Sequence, residues 1–235
     1  MSRCAKYSVG WKRRAAFASA FLVPLTDQAQ FATQKKTLHA TERDTVTNQQ
    51  KRAAWRRQVD EIDPAHLVFI DESGVTRSMT RPYGRAPKGE RVYGSVPLAH
   101  WEVTTLIGAL ALDGIRTSFT IDAATDADVL HVFVERALAP TLRPGDVVIW
   151  DNLAAHKAPE LKAVVESVQA TLLPLPPYSP DLNPIEQCWS KVKEFLRAAE
   201  ARTSEALEQA IAQAFARVTA SDARGWFQHC GYRLT

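Results

Sequence analysis

The sequence predicts an α/β protein built on a mixed sheet with helices on both faces. Three observations carry that reading. An apolar run, His66-Leu67-Val68-Phe69-Ile70, ends in Asp71, and further apolar segments follow, two of them joined by Asp113-Gly114, a dipeptide suited to a tight hairpin. The pattern then changes to alternating helix and strand and closes with three helical segments. With 235 residues, 46% of them hydrophobic, the chain can bury one good-sized core.

Residues 1–34 show no clear periodicity and receive no element. Residues 35–60 are polar and basic; Gln49 to Gln58 reads as helix, and the segment is expected to be a linker ahead of a domain spanning 61–235. A strand follows at about 66–71, then a basic loop at 76–91 punctuated by Gly and Pro. Strands are expected near 91–96, 102–112 and 115–121, the last two forming the hairpin. Asp126 is placed to start a helix running to about Ala139, with Val129, Val132, Phe133 and Ala137 on one face. Pro144-Gly145 breaks the chain before a buried strand at 146–151. A helix at about 157–167, a short strand at 170–174 and helices near 184–200, 204–219 and 221–229 complete the chain.

In this order the strands ending at Asp71 and Asp151 can lie side by side and parallel. Both carboxylates then emerge at one C-terminal sheet edge, where open α/β sheets place their sites. This is the ribonuclease-H-like architecture.

Charge is more telling by region than in total. Residues 1–57 carry 12 Lys and Arg against 3 Asp and Glu, whereas 58–235 carry 17 against 23. A basic arm ahead of a mildly acidic domain suits nucleic acid binding beside a metal-dependent site. Cys4, Cys188 and Cys230 are odd in number and widely spaced, which argues against a disulfide framework or a zinc site and for a reducing compartment. Lys12-Arg13-Arg14 followed by Ala15 to Leu25 imitates a secretory signal, but the apolar stretch is too short to span a membrane. A cytoplasmic, nucleoid-associated protein is expected.

The third carboxylate lies 34 residues beyond Asp151, in the segment Pro177-Tyr178-Ser179-Pro180-Asp181-Leu182-Asn183-Pro184-Ile185-Glu186. Asn183 can cap the helix, Pro184 suits its first position, and Glu186 falls where a capping box has its acid. Singly, Asp71, Asp151 and Glu186 are each ordinary turn or cap residues. Together they form three rigidly aimed carboxylates, a set that holds two hard divalent cations for phosphoryl transfer. On the helix that follows, Ser190, Lys193 and Arg197 share the Glu186 face, and Ile185, Trp189, Val192 and Leu196 form the apolar face. Trp189 therefore reads as core.

Asp71-Glu72-Ser73-Gly74, Asp151-Asn152-Leu153-Ala154-Ala155-His156 and Tyr178-Ser179-Pro180-Asp181-Leu182-Asn183-Pro184-Ile185-Glu186 resemble the three signatures of the mariner transposase superfamily. The basic stretch from Thr80 to Gly89 and Lys36-Thr37-Leu38-His39-Ala40 resemble its bacterial insertion-sequence branch, family six-thirty. The likeness covers about residues 34–200, and the Tyr-Ser-Pro to Glu string is its most specific part.

The resemblance implies Asp71, Asp151 and Glu186 as a catalytic triad binding Mg²⁺ or Mn²⁺, two ions in all. It also implies double-stranded DNA, as transposon ends and target, for partners and a working homodimer. Asn152 and His156 match its Asp-Asn-x-x-x-His pattern; His156 either approaches a phosphate or holds the turn. Arg77, Arg81, Arg85, Lys88, Arg91, Lys193 and Arg197 are the candidate DNA contacts, with Asn152, His156 and Asn183 in support. Family members carry helix-turn-helix domains ahead of the catalytic part, but only about 65 residues precede the first strand here. The chain therefore resembles the second reading frame of a split element, or a truncated copy. Two alternatives stay open: a non-enzymatic DNA-binding remnant, and a ribonuclease-H-like nuclease.

Overall fold

A central strand, β1 (Leu67–Val75), organises the protein, whose computed structural model describes residues 39–97, 102–122, 126–151 and 159–234. On one side β1 pairs antiparallel with β2 (Thr104–Ala111), which pairs antiparallel with β3 (Gly114–Ile121). On the other side β1 runs parallel to β4 (Val147–Trp150), and β4 runs parallel to β5 (Thr171–Pro174). The resulting order, β3-β2-β1-β4-β5, is the expected mixed sheet. Its antiparallel half is a hairpin meander, and its parallel half is reached through helical crossovers.

Because successive strand residues face opposite sides of a sheet, the apolar run of β1 divides between two cores. Leu67, Phe69 and Val75 join one; Val68 and Ile70 join the other. The first core is covered by α1 (Val46–Val59), α4 (Ile185–Ala199), α5 (Ser204–Ala216) and α6 (Ala220–His229). Beneath the opposite face lie α2 (Ala127–Val132), the wide π-type turns that continue it over Phe133–Leu138, and α3 (Pro159–Ser167). A strand flanked by helices on both faces must be apolar on both, which explains the unbroken hydrophobic runs in β1 and β4.

Local chemistry sets several helix ends. Thr45, Asp126 and Thr203 each accept a backbone N–H of the first turn, and Thr219 forms a full capping box with Asp222. Gly114, at φ +120°, makes the hairpin turn that Asp113-Gly114 predicts. Below the sheet, at the end opposite the C-terminal edge of β4, buried Asp146 takes the guanidinium of Arg116, the His66 ring and the backbone N–H of Arg143. A buried carboxylate needs that many partners to remain in place.

Four expectations are corrected. Residues 91–96 form no strand: Val92 and Tyr93 are exposed, and β2, the strand that follows them, already has β1 and β3 on its two edges. β1 continues to Val75 rather than ending at Asp71, since its pairing with β2 persists to Val75↔Thr104 after the apolar run stops. Beyond Asp126, the buried residues are Leu130, Phe133, Val134 and Leu138, with Phe133 as expected, and Val132 is exposed; the buried set keeps the helical spacing, and Val132 lies on the side away from it. The described part of the expected linker at 35–60 is no free linker either. α1 buries Trp55 and Val59 in the first core, and His39–Thr235 form one compact unit.

Among the described residues no helix is long and apolar enough to cross a membrane. Cys188 and Cys230 are free thiols that burial pushes up to about 12, leaving them chemically quiet; Cys4 lies outside the described residues.

Phe69, Phe227 and Tyr232 pack edge-on or tilted with centroids 5.3–5.5 Å apart, joining the central strand to the last helix and the tail. Phe227→Ala should cost about 3–5 kcal/mol. Equilibrium denaturant unfolding measures it, and a loss below about 1 kcal/mol would show that α6 is not part of the cooperative core.

Candidate active site

The register between β1 and β4 levels two carboxylates. The strands pair Leu67↔Val147 through Phe69↔Ile149, and carrying that register two residues further sets Asp71 level with Asp151. Asp71 shares the parity of Leu67 and Phe69, and Asp151 that of Ile149, so both lie on the face covered by α4. Glu72, one residue out of phase, belongs to the other face, as expected.

Glu186 arrives from α4. The chain leaves β5, donates the Leu175 N–H to the Trp150 carbonyl at 2.8 Å, and turns through Pro176 to Leu182 into the helix. Tyr178 takes a left-handed φ of +55°, an unusual conformation for an aromatic residue and a source of local strain. The turn is fastened from outside. Asp181 receives both terminal nitrogens of Arg52 on α1 at 3.0 and 2.7 Å, and Arg43 at 3.2 Å; Arg52 also donates to the Ser179 hydroxyl at 2.5 Å. From beneath, the buried Tyr232 hydroxyl donates to the Leu182 carbonyl at 2.6 Å. Burial works against the Asp181 charge, but the hydrogen bonds and charge of Arg52, with the charge of Arg43, hold its carboxyl below the usual range.

Asp71, Asp151 and Glu186 consequently line one cavity of about 530 Å³, whose wall is completed by Leu175–Pro180 and Asn183. Burial, followed by the charge of Glu186, pushes the Asp71 carboxyl up to about 7, and the Glu72 charge adds to this. The Glu72 backbone N–H and the Trp189 indole act in the opposite sense. Glu186 is also raised, first by burial and then by Asp151, while Lys193 on its own helix opposes the shift. Like charges held around one concave site disfavour their joint ionisation. The three carboxylates surround the cavity at separate points of its wall. Among the described residues no three His, Cys, Asp or Glu side chains stand close enough to hold a single ion together.

The remaining candidates divide. Lys193 and Arg197 are half-buried on the Glu186 side of α4, and Ser190 is exposed there, while Ile185, Trp189, Val192 and Leu196 are buried as expected. Arg197 lines a groove with Arg81, Tyr83 and Glu194. Arg81, Arg85, Lys88 and Arg91 are exposed along the loop between β1 and β2. Arg77 is turned inward, donating to the Ser204 hydroxyl at 3.1 Å. Arg43, Arg52 and Arg56, part of the basic arm, are likewise engaged within the chain, Arg56 with the Cys230 carbonyl. Asn183 makes no helix cap. Its side chain is buried in the cavity wall, with Oδ1 unpartnered among the described residues, and α4 begins on the backbone bond from Glu186 N–H to the Asn183 carbonyl. Asn152 and His156 lie outside the described residues.

Two features escape sequence reading. Trp189, assigned to the core, also donates its indole N–H to Asp71 Oδ2 at 3.0 Å. A buried indole commonly seeks an acceptor, but which acceptor depends on the packing of α4 over β1. The Arg52–Asp181 pair joins residues 129 positions apart, and no local pattern signals it.

A family described as DDE superfamily endonuclease matches residues 66–208. No curated protein sequence matches the chain. Among solved structures, the Mos1 transposase paired-end complex with left transposon end is similar at TM-score 0.68 and 16% identity, over 87% of this chain and 65% of that one. The Mos1 strand transfer complex gives 0.66 and 17%, covering 87% and 64%. The Mos1 catalytic domain with Raltegravir and Mn gives 0.62 and 14%, covering 83% and 92%. At these identities the likeness is one of fold, the ribonuclease-H-like sheet. This chain spans just under two thirds of the transposase chain in the paired-end complex and nearly all of the isolated catalytic domain.

The Asp71 shift has a direct consequence for stability. A carboxyl whose folded pKa lies above its unfolded value favours folding at low pH and loses that contribution as pH rises through the folded value. Without metal, stability should therefore fall between about pH 4 and pH 7, and Asp71→Asn, which cannot ionise, should remove part of that slope. Thermal unfolding in EDTA across this range is the measurement. The variant should gain on the wild type as pH rises; parallel curves would contradict the shift.

Proposed function

The chain belongs to the DDE superfamily of endonucleases, and from that membership we propose that it is a transposase catalytic domain, cleaving DNA at the ends of a mobile element and joining them to a target. One observation carries the reading: Asp71, Asp151 and Glu186, from three separate elements inside the matched residues, line one cavity in which their charges oppose one another.

That cavity suits hard cations. Its donors are carboxylate oxygens, the ligands that Mg²⁺ and Mn²⁺ prefer, and positive charge there would favour the ionised forms that burial and the neighbouring carboxylates oppose in Asp71 and Glu186. Asp71, Asp151 and Glu186 would hold two such ions, which supply Lewis acidity toward the scissile phosphate and activate the attacking water or 3′-hydroxyl. Asp71 and Asp151 fix the ligand oxygens on the rigid sheet. Glu186 supplies the third side from a helix start clamped through Asp181. Asn152, Asn183 and His156 support the site in this reading.

Double-stranded DNA is the substrate, as element ends and target. Exposed Arg81, Arg85, Lys88 and Arg91, with Lys193 and Arg197 beside Glu186, would follow its backbone; such contacts position DNA without reading its sequence. Arg77 would need to leave its inward bonds to join them. The bacterial insertion-sequence branch, family six-thirty, a homodimeric working state and a cytoplasmic, nucleoid-associated location complete the proposal.

The test uses pre-cleaved duplexes of the element's own ends with a target plasmid. Strand transfer should require Mg²⁺ or Mn²⁺ and fall by about a thousandfold or more in Asp151→Asn, with the fold retained by circular dichroism. Undiminished transfer in EDTA or in the variant would remove the enzymatic reading. Nicking without transfer would favour a nuclease.

A further inference from the structure

We propose that Trp189 is a positioning residue for the metal-binding carboxylates: its indole N–H holds one oxygen of Asp71, and its place on α4 yokes that carboxylate to Glu186. The inference rests on the reading of Asp71, Asp151 and Glu186 as metal ligands.

The geometry supplies each part. Trp189 Nε1 donates to Asp71 Oδ2 at 3.0 Å, and the carboxylate it holds lines the cavity. Glu186 lies three residues earlier on the same helix, and side chains at that spacing are neighbours on a helix surface even where one is buried and the other faces the cavity. The indole therefore fixes α4 against β1 at the level where their acids must cooperate.

The ring is itself held. Trp189 is buried, and Phe215 of α5 meets it edge-on at 6.1 Å and 70°. Across the sheet, Gly108 stands opposite Asp71 in the β1–β2 register. A Cβ at Gly108 would come within 2.9 Å of Trp189 Cη2, closer than side-chain carbons approach, so the absence of a side chain there makes room for the indole. Glycine, tryptophan and aspartate form one unit spanning two strands and a helix.

Burial alone does not account for the hydrogen bond. The indole N–H of Trp55, buried in the same core, has no partner among the described residues. Partners that orient metal-binding carboxylates typically contribute 10–100-fold in metal affinity or activity.

Two variants separate positioning from packing. Trp189→Phe keeps an aromatic ring and removes the donor; Gly108→Ala keeps the donor and displaces the ring. Mn²⁺ binding is followed by electron paramagnetic resonance without DNA, and the Mg²⁺ dependence of strand transfer is measured in parallel. Both variants should weaken Mn²⁺ binding and raise the half-saturating Mg²⁺ concentration by about 10–100-fold, with the rate at saturating Mg²⁺ within about threefold of wild type. Should Trp189→Phe fail to fold, Gly108→Ala carries the test. Unchanged Mn²⁺ affinity in a folded variant, or a lower maximal rate at unchanged affinity, would reduce Trp189 to packing. Asp71→Asn serves as the reference: if it too leaves Mn²⁺ binding unchanged, the ligand assignment fails and the inference fails with it, a result distinct from failure of Trp189→Phe alone.

Discussion

Parallel pairing of β1 with β4 is the constraint on which the site depends. The ladder is short, from Leu67↔Val147 to Phe69↔Ile149, yet it sets Asp71 and Asp151 level and on the same face. A slip of one residue would turn one of the two acids to the opposite side of the sheet. Such a slip is costly because it would drive Phe69 or Ile149 into the opposite core, whose space is filled by Val68, Ile70, Val148 and Trp150. Hydrophobic partition between the two cores thus enforces the alignment of the acids.

Glu186 is placed by different means. Its helix is amphipathic, with Ile185, Cys188, Trp189, Val192 and Leu196 buried against the sheet, and that face sets the rotation. The turn before it cannot be held by the sheet, and it is held by side chains instead: Arg52 and Arg43 on Asp181, and Tyr232 on the Leu182 carbonyl. The basic helix that precedes the sheet in sequence therefore braces the segment that delivers the third acid. Burial, with the charge of a neighbouring carboxylate added, opposes ionisation of Asp71 and Glu186. Holding such carboxylates in a concave site costs local stability, a common trade at functional centres.

Much of this was legible in the chain. The apolar runs ending near Asp71 and Asp151, the Asp113-Gly114 hairpin and the Asn183-Pro184 helix start are local signals, and each has its counterpart in the structure. The apolar face of α4 followed from helical period alone. What failed depended on neighbours. Val92 and Tyr93 have strand-forming side chains, but both edges of the adjoining β2 are taken by β1 and β3. Val132 lies three residues from Val129, yet the face that packs on the sheet is centred on Leu130, Phe133 and Val134 and leaves Val132 outside. Asn183 has the chemistry of a cap, and its side chain is nevertheless turned into the cavity wall. The contacts Trp189–Asp71 and Arg52–Asp181 each join residues more than a hundred positions apart, a range at which no periodic pattern operates.

The central claim, that acids from β1, the end of β4 and the start of α4 form one divalent-metal site, is most directly tested by anomalous scattering from crystals of the protein grown with Mn²⁺. Manganese should lie in the cavity with oxygen ligands from Asp71, Asp151 and Glu186 shared between two ions about 4 Å apart. Manganese bound elsewhere, or a cavity that stays free of it at concentrations saturating for activity, would contradict the claim.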